Sequence, residues 1–344
     1  MKPRTDKRLT YSEMSTVDKC LRKAFLCYQL GLRPKRDAKP LRIGSTIHKA
    51  LDYYKRGSTP DEATKRIMFE YSETMPLYEE YMYDWEIERA TISAMLTGYF
   101  WRWSEMDKDM KIIVSEQTFD LEIINPDTGR RSRTSTVAGK TDGICELLDG
   151  RLAIMEHKTN SEDLSAESDL WKSLRIDNQI SLYFLAAKRM GYDVQTVLYD
   201  VLRKPTKLPF KATPHDKRKY KKDGSLYANM RDKSETPDEY SARIVEDMGN
   251  NPDFYFARKE IPRIESDLKE FEYDLWQKTQ IIHQCKINNR WPRATGACRG
   301  FGKCQYFGLC TSGYDVKSGI VPEGFIQIDD VHTELIEQGD DNND

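Results

Sequence analysis

Two acidic residues and a lysine stand where two consecutive predicted strands could bring them together. Asp142 closes the run AGKTD in the second predicted strand, and Glu156 and Lys158 follow in the run MEHKT at the end of the third. Because side chains alternate faces along a strand, Glu156 and Lys158 point the same way. Paired carboxylates are oxygen ligands that suit Mg²⁺ or Mn²⁺, and a neighbouring ammonium can orient or help deprotonate an attacking water. This combination indicates phosphodiester hydrolysis.

The triplet alone has a simpler interpretation, and three further polar residues bear on the choice. In a chain with 32% charged residues, a salt-bridged strand edge would present the same residue types. His48 lies in a predicted helix, where a histidine is more often a surface or core residue, although its imidazole could be a third metal ligand. Gln179 and Tyr183 are spaced i, i+4 on a later predicted helix, so both polar tips could flank the same site.

The cysteines suggest a second, different metal centre. Cys20 lies near one end of the sequence, and Cys298, Cys304 and Cys310 crowd near the other in the run CRGFGKCQYFGLC. Four thiolates can complete the coordination of an iron-sulfur cluster, and tetrahedral zinc or uncoordinated thiols are the alternatives. The remaining three cysteines are interpreted as buried small hydrophobic residues; they are Cys27, Cys145 and Cys285.

A basic stretch between residues 203 and 222 is a candidate nucleic-acid-binding segment. Nine cationic side chains against a single acidic one could neutralise phosphates, although a solvated loop would have the same composition. Phe210 and Tyr220 are weaker candidates for stacking on bases. The cations of this stretch are Arg203, Lys204, Lys207, Lys211, Lys217, Arg218, Lys219, Lys221 and Lys222.

Bulk composition limits the class of protein without choosing a function. The 344 residues have a net charge of -2 and a mean hydropathy of -0.73, and no apolar run approaches the roughly 18 residues that a membrane span needs. The N-terminus lacks the apolar stretch of a secretory signal, and seven cysteines are unlike a dense disulfide framework. We therefore expect a soluble, cytoplasmic protein without membrane association.

The elements that must position these residues follow from hydrophobic periodicity. We predict an N-terminal helical region, then three strands, a helix and a fourth strand. This order suits an α/β fold with a mixed sheet covered by helices. The predicted helices are 12–30, one that follows Gly44, a helical region at 60–108, 175–190 and 264–285; the predicted strands are 111–124, 135–148, 151–157 and 193–202.

Taken in order, the runs GSTIH, GKTDG, EHKT and QISLY resemble the motifs of the RecB-like branch of the PD-(D/E)xK nuclease superfamily. The branch includes AddB-type and CRISPR-associated nucleases. The resemblance implies a restriction-endonuclease-like mixed sheet flanked by helices, and assigns His48, Asp142, Glu156 and the backbone carbonyl of His157 as metal ligands. It also implies that Lys158 is the catalytic lysine and that Gln179 and Tyr183 form the motif on the following helix.

Some relatives of this branch hold a [4Fe-4S] cluster with one cysteine before the nuclease core and three after it. The resemblance therefore implies that Cys20, Cys298, Cys304 and Cys310 hold such a cluster. Two departures stand against the family pattern: the usual Pro-Asp is Thr141-Asp142, and the usual C-x2-C-x5-C spacing is C-x5-C-x5-C.

The resemblance leads to an expected organisation and activity. We expect an Mg²⁺- or Mn²⁺-dependent DNA exonuclease of recombination, repair or replication, in a bacterial or phage-infected cell, with a nuclease-fold DNA-binding or adaptor protein as the alternative. The run GKT lacks the earlier glycine of a phosphate-binding loop, so a helicase or recombination partner would be a separate protein. The expected divisions are N-terminal helices 1–56, a helical insertion 57–110, the core 111–260, a C-terminal helix with the cysteine-rich cluster segment 261–320, and a tail 321–344, acidic and disordered at its end.

Overall fold

The computed structural model describes residues 4–35, 39–300, 302–315 and 318–335. The acidic run EQGDDNND, predicted to be disordered, lies outside these ranges. Within them, no helix combines the length and the apolar character that a bilayer crossing requires.

A mixed sheet of six strands forms the centre of the described chain, in the order β1-β4-β5-β6-β7, with β3 along the other edge of β4. The pairs β3–β4, β4–β5 and β6–β7 are antiparallel, whereas β1–β4 and β5–β6 are parallel. The short strands β2 and β8 pair separately. The strands are β1 (Arg8–Leu9), β2 (Leu32–Pro34), β3 (Lys111–Ile124), β4 (Arg131–Glu146), β5 (Leu152–Asn160), β6 (Val194–Arg203), β7 (Phe256–Pro262) and β8 (Phe325–Gln327).

Helices surround this sheet, which confirms the predicted α/β class with a mixed sheet flanked by helices. One apolar core lies between the sheet and α1, α7 and α10, and a second joins α3, α4, α5 and α8 to the ends of β6 and β7. The helices are α1 (Tyr11–Lys19), α2 (Leu21–Ala24), α3 (Lys39–Lys55), α4 (Pro60–Ser72), α5 (Met82–Trp103), α6 (Asp169–Leu174), α7 (Asn178–Arg189), α8 (Pro237–Asn250), α9 (Pro252–Tyr255), α10 (Glu265–Asn288) and α11 (Phe307–Thr311).

The structure differs from the predicted elements mainly where helices break. The predicted helix 12–30 is interrupted at Cys20, whose extended backbone ends α1 and starts α2, and a π-helical turn, Phe25–Gln29, follows. The predicted helical region 60–108 is two helices separated by residues 73–81, and the helix predicted to follow Gly44 already begins at Lys39. Helix α8 and strand β7 were not predicted, because neither segment contains one of the recognised motifs.

The C-terminal segment returns to the N-terminal helices. Trp291 stacks on Phe25 with ring centroids 5.3 Å apart, and the Tyr306 hydroxyl donates to the main-chain oxygen of Leu32 at 2.7 Å. His332 is fully buried, with Nε2 3.4 Å from a carboxylate oxygen of the equally buried Glu13 on α1. The first core therefore contains side chains from both ends of the described chain.

Candidate active site

The two acidic residues lie at a fork between β4 and β5. Backbone pairing of these strands stops at Ile144 and Ile154, and Asp142 and Glu156 follow directly beyond that pair. At this point Oδ2 of Asp142 accepts the backbone N–H of His157 at 2.9 Å. A side-chain acceptor thus replaces a main-chain acceptor where the strands separate, and it fixes Asp142 against the strand that carries Glu156.

The backbone around Asp142 is held from two other sides. Nζ of Lys55, on α3, donates to the main-chain oxygen of Asp142 at 2.8 Å. A Cβ atom added to Gly143 would lie 2.9 Å from the main-chain oxygen of Val114 on β3, so only glycine permits this approach. Lys55 was not predicted to lie at the site, because a lysine at the end of an amphipathic helix usually faces solvent.

Glu116 lies on β3 between the residues that pair with the neighbours of Asp142. Its Oε2 is 2.6 Å from Nζ of Lys140 and 3.5 Å from the guanidinium of Arg56. Its backbone φ of 33° is in the left-handed region that non-glycine residues rarely occupy. Glu116 therefore supports the acidic site as an ion-paired neighbour in a strained backbone position.

Glu156, Lys158, Gln179 and Tyr183 form one hydrogen-bonded group. Nζ of Lys158 lies 3.0 Å from Oε1 of Glu156 and donates to Oε1 of Gln179 at 2.5 Å. The Gln179 amide nitrogen donates to Oε1 of Glu156 at 3.0 Å and to the Tyr183 hydroxyl at 2.8 Å. The structure thus brings together the predicted strand and helix residues.

Helix α7 presents Gln179 because the chain starts that helix beside the strand end. Asp177 is the N-cap, and its carboxylate accepts the N–H of Gln179 at 2.8 Å and the hydroxyl of Tyr11 at 3.0 Å. An N-cap aspartate satisfies a backbone donor that has no partner inside the helix. Gln179 consequently sits in the first turn and faces Glu156.

The two carboxylates have opposite pKa shifts. Burial raises the pKa of Glu156 to about 8, against the opposing effect of the Lys158 ammonium. Burial also acts on Asp142, but His48, Lys55 and the hydrogen bond from His157 outweigh it and hold the pKa of Asp142 below its usual value. With one acid ionised and the other protonated near neutral pH, the fork would release the proton of Glu156 when a cation binds.

Lys158 stays charged in this group. Burial opposes its charged form, but the carboxylates of Glu156, Asp177 and Asp142 outweigh that effect and raise the pKa of Lys158. Burial raises the pKa of Tyr183 well above its usual value, so its hydroxyl remains protonated. Lys158 therefore offers a fixed positive charge beside Glu156.

The two histidines lie on the other side of Asp142. Nδ1 of His48 is 3.8 Å from Oδ2 of Asp142, and the rings of His48 and His157 meet edge to face with centroids 6.1 Å apart. Burial lowers the pKa of His48, and burial together with Lys55 lowers the pKa of His157 to about 4, so both rings are neutral near pH 7. A neutral imidazole can be a metal ligand.

The fork fits a hard cation by its donor chemistry. Oε2 of Glu156 is buried and has no hydrogen-bond partner among the described residues, and Asp142 offers a carboxylate oxygen 3.8 Å from the His48 nitrogen. Mg²⁺ usually takes one or two carboxylates and completes its shell with water and substrate phosphate. Across the described ranges, no group of three or more histidine, cysteine, aspartate or glutamate side chains is arranged to hold a metal ion.

The four cysteines of the predicted cluster lie on adjoining segments. The N–H of Ala294 points to Sγ of Cys20 at 3.4 Å, and Sγ of Cys298 lies 3.9 Å from the oxygen of the same Ala294. The N–H of Cys304 bonds to the oxygen of Cys298 at 3.0 Å, and all four thiols are free and partly exposed. Their sulfur atoms do not form a metal-holding group in the described chain. The other three cysteines are buried, as predicted: Cys27, Cys145 and Cys285.

The predicted basic segment is a loop between β6 and α8, and its cations are of two kinds. The side chains of five are exposed: Lys211, Lys217, Lys219, Lys221 and Lys222. The other four contact the protein. The guanidinium of Arg203 covers the Phe254 ring at 4.0 Å, and Nζ of Lys207 lies 2.6 Å from Asp247. Arg218 donates to the main-chain oxygens of Thr213 and Asp232, and Lys204 is half-buried.

Phe210 is held within this loop. The guanidinium groups of Arg231 and Arg243 lie 4.1 and 4.2 Å from its ring centroid. The buried carboxylate of Glu235 binds Arg243 at 2.7 Å and accepts the backbone N–H of Phe210 at 2.9 Å. The two arginines therefore hold the Phe210 ring, which is 43% exposed, and the exposed Tyr220 joins Leu226 in a small backbone bridge.

Comparison with known proteins adds one match. A family model described as the PD-(D/E)XK nuclease superfamily matches residues 8–311, a range that holds the fork, α7 and the four cysteines. No curated protein matches the chain.

Proposed function

This chain belongs to the PD-(D/E)XK nuclease superfamily, and we propose that within it the chain is a metal-dependent deoxyribonuclease of the RecB-like branch. The proposed reaction is the hydrolysis of DNA phosphodiester bonds by an exonuclease that acts on ends or single strands. The observation that carries the proposal is the geometry of the fork. Glu156, Lys158 and Gln179 lie within hydrogen-bonding distance of one another. Asp142 accepts a hydrogen bond from the backbone of the strand that carries Glu156.

The residues of the fork have separable roles in this proposal. Asp142 and Glu156, with His48 beside them, would hold Mg²⁺ or Mn²⁺, and the carbonyl of His157 is a further proposed ligand. Such an ion supplies positive charge to the scissile phosphate and lowers the pKa of bound water. Lys158, fixed by Glu156 and Gln179, orients the attacking water and offsets negative charge on the phosphate, and Tyr183 holds the amide of Gln179.

Substrate binding would involve the exposed cations of the basic loop. Glu235 and the two arginines around Phe210 fix the backbone of this loop, so Lys211, Lys217 and Lys219 project from a defined frame. Lysines in this position can neutralise phosphates without reading sequence. Arg203, Lys204, Lys207 and Arg218 would act mainly by shaping the loop.

We also propose a structural metal centre at the four cysteines, with a [4Fe-4S] cluster as the first candidate and zinc as the second. Support comes from the contacts of Cys20 and Cys298 with Ala294, from the hydrogen bond between Cys304 and Cys298, and from the soft character of thiolate ligands. Anaerobic purification followed by a visible spectrum and an iron and zinc count tests it. Four irons per chain with absorbance near 400 nm would support the cluster, and protein that carries neither metal would contradict it.

The nuclease assay uses labelled single- and double-stranded DNA with Mn²⁺ or with EDTA. We expect Asp142→Ala and Lys158→Ala to lose at least about 100-fold in rate, because each removes a charge from the reacting centre. Lys172→Ala is the matched control, since this exposed lysine pairs only with Asp169 on α6. Metal-dependent cleavage by purified Asp142→Ala would refute the assignment.

A DNA-binding or adaptor protein is the second candidate, and the same assay separates it. Such a protein would shift the labelled DNA and leave it whole with Mn²⁺. The intact set of fork residues favours the enzyme. A role in recombination, repair or replication, a separate helicase or recombination partner, and a cytoplasmic location in a bacterial or phage-infected cell complete the proposal.

A further inference from the structure

A fully buried carboxylate lies directly behind the fork. Asp200, on β6, pairs in register with His157 on β5 and has no exposed surface. Its Oδ2 accepts the hydroxyl of Tyr99 at 2.6 Å and the guanidinium of Arg258 at 3.1 Å, and it lies 3.2 Å from Nδ1 of His157. A buried carboxylate costs several kcal/mol in desolvation unless its partners are well placed.

Arg258 provides the counter-charge for Asp200 and is itself fixed. Its second nitrogen is ion-paired with Asp107, and its guanidinium lies 4.2 Å from the Trp103 ring centroid. The ring of His157 is 2% exposed, and its Nδ1 lies 3.2 Å from Oδ2 of this fixed carboxylate, so Asp200 limits how the ring can turn. Asp200 is therefore held more firmly than the ring that it constrains.

His157 in turn contacts both candidate ligands on its side of the fork. Its backbone N–H binds the carboxylate of Asp142 at 2.9 Å, and its ring packs edge to face against His48. A change in the position of His157 would therefore move Asp142 and His48 together. Residues behind metal ligands commonly set ligand orientation in this way.

We propose that Asp200 is a positioning residue for the cation site: by fixing His157, it holds Asp142 and His48 in the arrangement that binds a hard cation. The inference rests on the proposed function. It concerns a residue that the sequence analysis treated only as part of a strand.

The test measures Mn²⁺ affinity by isothermal titration calorimetry on the full chain, freed of loosely bound divalent cations and with any cysteine-bound metal retained. Asp200→Asn keeps the shape of the side chain and removes its charge, and we expect Mn²⁺ affinity to fall about 10- to 100-fold. Thr196→Val is the matched control, because Thr196 is buried on the same strand and its hydroxyl has no partner. Its Mn²⁺ affinity should equal that of the wild type.

Thermal unfolding of each variant accompanies the titration. If Asp200→Asn does not fold, Tyr99→Phe takes its place, since it removes the hydroxyl that donates to Asp200 at 2.6 Å and accepts from Arg258 at 3.0 Å and keeps the ring. Weaker Mn²⁺ binding by that variant supports the proposal. Wild-type affinity in the folded variant, or a loss as large in Thr196→Val, would overturn it. Because the readout is binding, an absence of DNA cleavage by the wild type would refute the proposed function and leave this result standing.

Discussion

Replacing Glu156 with glutamine tests the electrostatics of the fork in the metal-free protein. The pKa of Glu156 is raised to about 8 by burial, whereas a glutamate in the unfolded chain titrates near about 4.3. The folded protein therefore retains a proton that the unfolded chain releases as pH rises between these values. The contribution of Glu156 to the free energy of unfolding is fully present below the pKa of the unfolded chain. It is lost as pH rises through the pKa of the folded protein.

The magnitude follows from the size of the shift. Each pH unit between the two pKa values lowers the free energy of unfolding by about 1.4 kcal/mol. The total loss is about 5 kcal/mol above pH 8 and about 3 to 4 kcal/mol at pH 7. Glutamine has no proton to lose, so Glu156→Gln should become progressively more stable than the wild type as pH rises from 5 to 8. Below pH 5 the difference should reflect only the altered hydrogen bonds to Lys158 and Gln179.

Urea denaturation in EDTA at pH 5, 6, 7 and 8 measures this difference. Subtracting the wild-type curve removes every titration that the two proteins share. Glu146→Gln is the control, because Glu146 ends the neighbouring strand β4 and its side chain is 39% exposed; it shows the effect of removing an exposed carboxylate from the same sheet. A difference for Glu156→Gln that is constant from pH 5 to 8 would refute the account, since it would mean that Glu156 ionises freely in the folded protein.

Three further predictions concern the backbone, the loop and the cysteines. Gly143→Ala places a Cβ 2.9 Å from the oxygen of Val114, so it should lower unfolding stability by about 1–3 kcal/mol in thermal melts and reduce cleavage; an unaltered melting curve would contradict the close approach. The triple change of Lys211, Lys217 and Lys219 to alanine should weaken DNA binding in fluorescence anisotropy and reduce the salt slope by about 0.7 to 0.9 per lost phosphate contact, whereas an unchanged slope would remove the loop from the interface. Cys20→Ala should speed proteolysis from Cys298 onward, and an unchanged digestion pattern would argue against a link between the two segments.

Local patterns predicted the sheet and much of the fork. Alternation along 111–124 and 193–202 is a short-range signal, and both segments are strands at nearly these bounds. Asp142, Glu156 and Lys158 could be placed together because one turn joins their strands, so that the antiparallel register brings them opposite each other. Gln179 follows on the next long helix, and its spacing from Tyr183 is again local.

The residues behind the fork could not be predicted in this way. In the sequence, Asp200 looks like any aspartate on an exposed strand. Its contacts with Tyr99 on α5 and Arg258 on β7 distinguish it, and both residues are distant in sequence. Lys55 likewise depends on how closely α3 approaches the main chain of Asp142. The break at Cys20 was missed because residues 12–30 keep helical periodicity, and periodicity does not report a single residue with extended backbone.

The packing of the N-terminal helices against the C-terminal segment has a consequence for how the chain is made. Helices α1 and α2 leave the ribosome long before Trp291, Tyr306 and His332, the residues that complete their core. The strands and the helix that carry Asp142, Glu156, Lys158 and Gln179 are, by contrast, made in one continuous stretch. Contacts of such high sequence separation form slowly. During synthesis these strands would therefore assemble before the C-terminal segment covers the apolar faces of the N-terminal helices.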